Sequence, residues 1–387
     1  MTKTSLIMLF LCLVLSGHSV VADTGYAQSH RYPLTKVDSL NNVILMIGDG
    51  MGMSHITSAR LHAKGVDGFL EIDRLPVTGL VKTYSKDHFI TDSAAAGTAL
   101  ATGYKTNNGV ISRTSAGKPL YTLLEAARDH DMATAIVVTS SITHATPAVF
   151  AAHNMDRRNE AEIAVDMLQN NIDVLLGGGK AFFIPADNQG SKRTDGLDLI
   201  RQAQQQGYTF IETRDDLLAT DARKLLGLFQ LGALTTVNPE PSLAEITGKA
   251  IQVLKQKDRG FFMVVEGSQI DWGGHGNNVE KTIRQILLFD QAIAVAMEFA
   301  IEDQHTLVIV TADHETGGMA ITYNKEDNKA AIEWGTKHHT AVDVPLFAYG
   351  PHATGFTGVM DNTEIPRIIG NYLGLKNFPA IVNKESN

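Results

Sequence analysis

The sequence predicts an α/β fold, a three-layer sandwich in which a central, mostly parallel sheet carries helices on both faces. Six short apolar runs lack the alternation of a half-exposed strand, which indicates strands that are buried on both faces. Amphipathic helical patterns separate these runs, as the crossovers between parallel strands require. The predicted strands are 43–47, 135–139, 173–176, 261–265, 306–310 and 344–348.

Four segments with apolar residues at helical spacing supply the predicted outer layers. The third of them begins at Ser242, a favourable N-cap, and continues with Ile246, Ala250 and Leu254 on one stripe. Residues 180–240 show little periodicity and have no clear assignment. The predicted helices are 119–131, 159–170, 242–256 and 279–301.

The bulk composition is typical of a soluble globular protein with an acidic surface. The 387 residues are 44% hydrophobic and 19% charged, with a net charge of −9. This charge disfavours nucleic acid as a specific partner. A chain of this length can bury a large continuous core.

Residues 1–22 have the pattern of a secretory signal peptide. Lys3 precedes the apolar run 6–15, and small residues predict cleavage after Ala22. An N-terminal membrane anchor is the alternative, but the run is short for a span, so no membrane association is expected after signal removal. The only cysteine, Cys12, lies in this segment. We therefore expect a periplasmic or secreted protein without thiols.

Ligand-type side chains follow four of the six predicted strands. These are Asp49, His144, Glu266 and the pair Asp313-His314. In open α/β sheets, binding sites form outside the carboxyl ends of the strands. Four such strand ends in one chain are unlikely to arise by coincidence. For the Asp313-His314 pair, the alternative is a histidine held by its neighbouring carboxylate.

The segment after the fourth strand adds two more ligand types. Asp271 and His275 follow Glu266 within ten residues. Carboxylate oxygens suit hard cations and imidazole suits zinc, which together indicate a cluster of divalent cations; a plain polar loop is the alternative. The nearby glycines are expected to let the backbone turn tightly. They are Gly267, Gly273, Gly274 and Gly276.

A second chemistry-bearing segment spans 91–103. Asp92 is a good helix N-cap, and Ser93 then falls in the first turn of an alanine-rich helix. The N–H groups and the positive end of that helix would face an anion near Ser93. A bound metal could lower the pKa of the hydroxyl for attack on phosphorus. Taken alone, a simply capped helix explains the same residues.

Five motifs occur in the order found in alkaline phosphatases, and the chain resembles that family from about residue 43 to its C-terminal region. Each motif is weak alone, but the five together are specific. They are Gly48-Asp49-Gly50-Met51-Gly52, Thr91-Asp92-Ser93-Ala94-Ala95, Glu266…Asp271…His275, Thr311-Ala312-Asp313-His314-Glu315-Thr316-Gly317-Gly318 and His339-Thr340.

The resemblance implies a role for each motif residue. Ser93 is similar to the nucleophile that forms a phosphoserine intermediate, and Arg157 matches the arginine that clamps phosphate oxygens. Two Zn2+ and one Mg2+ are implied as cofactors. The implied ligands are Asp271, His275 and His339 for one Zn2+, Asp49, Asp313 and His314 for the other, and Asp49, Thr146 and Glu266, with His144 beside them, for Mg2+.

Two positions depart from the best-known bacterial pattern of the family. His144 stands where that pattern has aspartate, and Trp272 where it has lysine. A neutral imidazole is a poorer partner for Mg2+ than a carboxylate. The third cation is therefore expected to be held loosely, through water, or to be another metal such as Co2+. The absence of the lysine charge is expected to weaken retention of product phosphate.

The resemblance also implies the organisation of the chain. A lead-in at 23–41 precedes a catalytic domain at 42–387, which carries a short version of the family's crown insertion near 319–337. A homodimer is compatible with the resemblance, with reduced contact through this short crown. His339, and not the adjacent His338, precedes the Thr-Ala pair of the family pattern.

The predicted function is hydrolysis of phosphate monoesters through Ser93 and a binuclear zinc centre, with broad tolerance of the leaving group. Diesterases and sulfatases of the same superfamily are the enzymatic alternatives. They use threonine or a modified cysteine as nucleophile, which Ser93 and the cysteine-free mature chain disfavour. An exported protein that binds metal or phosphate without turnover is the alternative from another class.

Overall fold

A ten-stranded sheet forms the centre of the protein in a computed structural model that describes residues 31–324 and 329–382. The predicted signal peptide and residues 23–30 of the lead-in lie outside the described residues. The strands are β1 Asn42–Gly48, β2 Val77–Lys82, β3 Ala133–Ser141, β4 Val174–Gly178, β5 Thr209–Ile211, β6 Leu225–Leu228, β7 Phe261–Gly267, β8 Thr306–Thr311, β9 Glu315–Thr316, β10 Met319–Asn324, β11 Lys329–Trp334, β12 His339–Thr340, β13 Val344–Tyr349 and β14 Gly358–Asp361.

Helices connect most of the strands and cover the sheet. They are α1 Met53–Lys64, α2 Ser93–Thr102, α3 Leu123–Asp129, α4 Ala145–Ala148, α5 Glu160–Gln169, α6 Leu199–Gln205, α7 Arg214–Ala219, α8 Leu243–Leu254, α9 Gln269–His275, α10 Val279–Asp303 and α11 Glu364–Tyr372. Among the described residues, none of the helices combines the length and apolar character needed to cross a membrane.

The sheet is parallel except at one strand. Its strand order is β14-β2-β13-β8-β1-β7-β3-β4-β6-β5. Only β13 runs against its neighbours, β2 and β8, and every other adjacent pair in this sheet is parallel. The predicted mostly parallel sheet is therefore confirmed.

Both faces of the central strands are covered. Every residue of β1 and β7 is buried, which explains why their sequences are continuously apolar and do not alternate. One group of helices is α10 with α8, α9 and α1, and another is α2 with α3, α4 and α11. The three-layer arrangement predicted from the sequence is the one observed.

All six predicted strands and all four predicted helices are present, with ends within four residues of the predicted ones. Ser242 caps α8 by accepting a hydrogen bond from the Glu245 N–H at 3.2 Å. The unassigned stretch 180–240 contains the short elements β5, β6, α6 and α7. Two antiparallel strands, β10 and β11, occupy the region predicted as a short crown.

The segment after β7 corrects one expectation. Asp271 and His275 lie on helix α9 rather than on a turn, and none of the four nearby glycines is in the left-handed region. Gly273 and Gly274 are instead required by close packing. A Cβ at Gly273 would lie 2.3 Å from Thr282 Oγ1, and one at Gly274 would lie 2.7 Å from the Thr316 carbonyl oxygen.

This packing predicts that alanine changes the free energy of unfolding differently at two helical glycines. Gly274→Ala should lower the free energy of unfolding by about 1–3 kcal/mol, because α9 must move away from the backbone of β9. Gly248→Ala in α8 should be neutral or stabilising by up to about 1 kcal/mol, because the nearest atom to its new Cβ lies 3.5 Å away. Urea unfolding of both variants measures the difference, and equal effects would contradict the packing argument.

Candidate metal centre and active site

The candidate site lies at the carboxyl ends of four adjacent strands, β8, β1, β7 and β3. Asp313 and His314 follow β8, Asp49 follows β1, Glu266 is the penultimate residue of β7, and His144 follows β3. Neighbouring strands are about 4.8 Å apart. Side chains from four consecutive ends can therefore meet, which is the arrangement that the sequence predicted.

A first group of ligand atoms comes from α9 and β12. The Nε2 atoms of His275 and His339 lie 3.4 and 3.5 Å from Asp271 Oδ1, and 3.2 Å from each other. The Nδ1 atoms face the carbonyl oxygens of Lys337 at 2.6 Å and Thr91 at 2.8 Å. Because a carbonyl only accepts, each Nδ1 carries the proton and each Nε2 presents a lone pair to the group.

His339 reaches this edge because of the reversed strand. It lies on β12, shortly before β13, and the amino end of β13 is at the same edge as the carboxyl ends of its neighbours. The adjacent His338 is exposed. Between the two histidines, His339 is thus the one that faces the ligand group.

A second group joins Asp49, Asp313 and His314, whose ligand atoms all lie within 4.8 Å of one another. His314 Nε2 is 3.5 Å from Asp49 Oδ1 and 3.2 Å from Asp313 Oδ2. The same nitrogen lies 3.3 Å from Ser93 Oγ. Ser93 is the first residue of α2, and Asp92 caps that helix by accepting a hydrogen bond from the Ala95 N–H at 2.9 Å.

A third group consists of Asp49, His144 and Glu266, again with ligand atoms within 4.8 Å of one another. His144 is the N-cap residue of the short helix α4, which includes Thr146. Ser268 Oγ donates to Glu266 Oε2 at 2.7 Å and so fixes the carboxylate. Asp49 belongs to both the second and the third group, which places these two groups side by side.

Several buried acceptors in these groups have no hydrogen-bond donor among the described residues. Burial of such an atom without a partner is unfavourable by several kcal/mol. A cation supplies the missing partner, and oxygen with imidazole nitrogen is a donor set that divalent metals accept. The residues therefore fit bound metal ions. The unpaired acceptors are Asp49 Oδ1 and Oδ2, Thr146 Oγ1, Glu266 Oε1 and Asp313 Oδ2.

Burial makes the metal-free cluster resist full ionisation. Burial, and next the Asp313 carboxylate, raise the pKa of Asp49 well above its ordinary range. Burial also raises the pKa of Glu266 to about 7, against the hydrogen bond from Ser268. Burial and then the Arg157 charge lower the pKa of His144 to about 4, so this imidazole is neutral and able to act as a ligand.

Arg157 borders the second and third groups. Its Nη1 donates to Asp92 Oδ2 at 2.9 Å, and its Nη2 lies 3.4 Å from His144 Nε2. The neighbouring Arg158 is 85% exposed and pairs only with Asp156 in the described hydrogen bonds. The two arginines are thus clearly distinguished, and Arg157 is the one directed to the site.

The structure brings all the sequence-predicted site residues to one edge of the sheet, and it adds Thr316, which sequence reasoning missed. Thr316 Oγ1 donates to Asp271 Oδ1 at 2.5 Å and lies 3.2 Å from His314 Nδ1. It therefore joins the first and second groups. Its position two residues after His314 is the only sequence signal that could have indicated this contact.

Comparison with known proteins decides the family. The sequence profile "Alkaline phosphatase" matches residues 40–327 and 318–375. The chain belongs to the alkaline phosphatase family. It is therefore a phosphate monoester hydrolase, as predicted, and the site described above is the candidate active site of an alkaline phosphatase.

Individual alkaline phosphatases match over most of their length. The chain is 34% identical to alkaline phosphatase 4 of Bacillus subtilis, covering 95% of this chain and 96% of that protein. It is 34% identical to alkaline phosphatase of Escherichia coli, covering 87% and 86%. The solved alkaline phosphatase of the Antarctic bacterium TAB5 is 37% identical, with a TM-score of 0.81, covering 88% of this chain and 100% of that one. A mutant of the TAB5 enzyme with a histidine changed to Asp has Mg bound in its M3 site.

The buried carboxylates predict a pH-dependent stability of the metal-free protein. Glu266 has an ordinary pKa of 4.5 that rises to about 7 in the fold. Its contribution to stability is therefore present below pH 4.5 and lost as the pH rises through 7. EDTA-treated protein should lose about 2.5 kcal/mol of unfolding free energy between pH 5 and pH 8 from this group, and protein saturated with Zn2+ and Mg2+ should not.

Urea unfolding at the two pH values measures this loss. Glu266→Gln is the matched control, because it keeps the shape of the side chain and removes its titration. The explanation fails if EDTA-treated wild type and Glu266→Gln have the same pH dependence.

Proposed function

We propose that this phosphatase acts through a covalent phosphoserine on Ser93. The observation that carries the proposal is the position of the Ser93 hydroxyl, 3.3 Å from His314 Nε2 at the N-terminus of α2. The Asp49, Asp313 and His314 group thus adjoins the nucleophile. Metal ions, when bound, supply Lewis acidity that favours the deprotonated hydroxyl and, later, an attacking water.

The chain's own groups account for substrate orientation. Attack by Ser93 Oγ forms an oxygen–phosphorus bond as the ester bond to the leaving alcohol breaks, and water later hydrolyses the phosphoserine to release phosphate. The guanidinium of Arg157 can donate two parallel hydrogen bonds to phosphate oxygens. The first N–H groups of α2 face the same anion. These contacts are all to the phosphoryl group, and we propose a broad tolerance of the leaving group.

We propose Zn2+ for the first two ligand groups and Mg2+ for the third. Imidazole with carboxylate suits Zn2+ in the groups at Asp271 and at Asp313. Magnesium in the M3 site of the TAB5 mutant supports a third cation near His144. Because the residue here is histidine, Co2+ or a water-mediated Mg2+ is the alternative at that position.

We also propose how the chain is processed and assembled. Cleavage after Ala22 would release a catalytic domain at 42–387 into the periplasm or the medium, where phosphate monoesters are available as substrates. A homodimer with a reduced crown contact near 319–337 is the proposed assembly. Mass spectrometry of the mature N-terminus and light scattering test these two points.

Removal of the nucleophile tests the reaction. Ser93→Ala should lower turnover of a chromogenic phosphate monoester by at least about a thousandfold while keeping wild-type zinc content. Acid quenching of wild type should trap phosphate on Ser93. Asp271→Ala is the contrasting variant, because it should lose both zinc and activity.

Three results would contradict this mechanism. Full activity of Ser93→Ala would exclude the phosphoserine. Faster turnover of a diester than of a monoester of the same phenol would favour the diesterase alternative, and loss of zinc from Ser93→Ala would show that the serine is structural.

The environment of Trp272 yields a second test. Its ring lies edge-on to His144 at 6.3 Å, and Lys281 Nζ lies 5.3 Å from the ring centre. Trp272→Lys adds a positive charge beside the phosphate position, so the inhibition constant of inorganic phosphate should fall about fivefold. Trp272→Leu controls for loss of the ring and should not show this tightening. Equal inhibition of wild type and Trp272→Lys would refute the prediction.

A further inference from the structure

A largely buried histidine, His153, lies four residues before Arg157 and outside all three ligand groups. Its imidazole is 18% exposed and packs against α3 and the segment 109–113. Nε2 lies 3.0 Å from Glu125 Oε1, and Nδ1 lies 2.8 Å from the Ser112 carbonyl oxygen. Both ring nitrogens therefore face oxygen acceptors.

This geometry selects the charged form of the ring. A carbonyl oxygen can only accept, and an ionised carboxylate also only accepts. Burial disfavours ionised Glu125, but its hydrogen bonds with His153 and with the Thr122 N–H, at 2.9 Å, outweigh burial and lower its pKa. A neutral imidazole has one N–H and could satisfy only one of its two oxygen partners. An imidazolium satisfies both.

Acidic and basic groups both surround His153, and the acidic ones favour the charged form. Glu125 and Arg128 come from α3, Asp166 comes from α5, and Arg113 comes from the segment 109–113. Asp166 Oδ2 accepts from the His153 backbone N–H at 3.0 Å, and Arg113 Nε donates to its carbonyl at 2.9 Å. Against the effect of burial, Glu125, then the hydrogen bond to the Ser112 carbonyl, and then Asp166 raise the pKa of His153.

Several hydrogen bonds hold the segment from His153 to Arg157 against the segment 109–113. The segment 153–157 runs beside the segment 109–113: Ile111 and Asn154 exchange backbone hydrogen bonds at 2.8 and 3.0 Å, and the Arg157 N–H donates to Gly109 O at 2.8 Å. The Gly109 N–H then donates to Asp92 Oδ2 at 3.0 Å, the oxygen that also accepts from Arg157 Nη1. His153 anchors the start of this segment and Arg157 lies at its end.

We propose that His153, as an imidazolium held between Glu125 and the Ser112 carbonyl, is a positioning residue that fixes Arg157 for phosphate binding. The inference rests on the proposed function in one respect, the role of Arg157 as the phosphate clamp. Loss of the imidazolium leaves the Ile111–Asn154 pairing in place. The segment then stays folded, but its first anchor is lost and the guanidinium is less well oriented.

His153→Gln in the metal-loaded enzyme tests the proposal, with inorganic phosphate as the probe. At pH 6 the inhibition constant should rise about threefold to thirtyfold, because small displacements of an orienting group reduce binding steeply, and zinc content should stay unchanged. His130→Gln is the matched control. His130 Nδ1 faces the Ala126 carbonyl at 2.8 Å and its Nε2 accepts from the Lys376 N–H. These contacts do not involve the segment 153–157, so the loss of His130 should leave the constant within twofold.

The pH dependence separates positioning from a general structural role. His153 contributes below its ordinary pKa of 6.5, and the contribution is lost as the pH rises through the raised pKa in the fold. The ratio of inhibition constants, variant to wild type, cancels the ionisation of phosphate itself. This ratio should fall towards one at the pH where nitrogen-15 NMR shows His153 losing its second proton, and the NMR spectrum at pH 6 should show both nitrogens protonated.

Two further variants complete the test. Arg157→Ala should weaken phosphate inhibition, and adding His153→Gln to it should have no further effect. Glu125→Gln keeps the histidine and removes its counter-charge, so it should raise the inhibition constant of phosphate as His153→Gln does. If His153→Gln unfolds, the result for Glu125→Gln tests the proposal in its place.

The proposal is overturned by a neutral His153 at pH 6, or by wild-type phosphate inhibition in both His153→Gln and Glu125→Gln. If Arg157→Ala weakens inhibition in that case, only the positioning role fails. If Arg157→Ala also leaves inhibition unchanged, the clamp assignment and with it the positioning role both fail.

Discussion

The structure depends on a cluster of buried carboxylates, and burial raises the pKa of two of them, Asp49 and Glu266. Asp49, Glu266 and Asp313 are fully buried and Asp271 is 5% exposed, yet several of their oxygens have no hydrogen-bond donor among the described residues. Their positions are set by the order of the strands, since three of the four adjacent strand ends each supply one carboxylate. The protein can satisfy this cluster with protons or with metal ions. The burial that raises the pKa of Asp49 and Glu266 is thus also what makes a bound cation a favourable partner for this cluster.

The reversed strand β13 explains why one ligand could not be derived from strand ends. Asp49, His144, Glu266 and Asp313 follow or end parallel strands, so the rule for open α/β sheets brings them together without any family knowledge. His339 instead precedes an apolar run that resembles the other five. Only the antiparallel pairing of β13 with β8 puts its amino end at the site, and that direction is not encoded in the apolar pattern. The resemblance to alkaline phosphatases was the only sequence argument for His339.

The predictable part of the fold is the part that is buried on both faces. Continuous apolar runs identified the central strands, whereas β2 alternates between buried and exposed residues over six positions and was not assigned. Gly79 within this strand has no side chain to contribute to the pattern, and a Cβ there would lie 2.4 Å from the Phe356 carbonyl oxygen. Likewise Gly273 and Gly274 are explained by contacts with Thr282 and Thr316, which lie outside helix α9. From local propensity alone, glycine predicts a turn. At these positions tertiary packing requires glycine instead.

The histidine at position 144 belongs to the third ligand group and also contacts Arg157. Its Nε2 faces Arg157 Nη2 at 3.4 Å, and an arginine can only donate. In that arrangement the proton is on Nδ1, which has no acceptor among the described residues, and the single lone pair is directed to the guanidinium. A cation bound by this group would compete with Arg157 for that lone pair, or would contact His144 through water. A carboxylate has enough lone pairs to serve a metal and an arginine at once. A histidine at this position, with its single lone pair facing the guanidinium, therefore differs from a carboxylate in the number of partners it can accept from and not only in its metal preference.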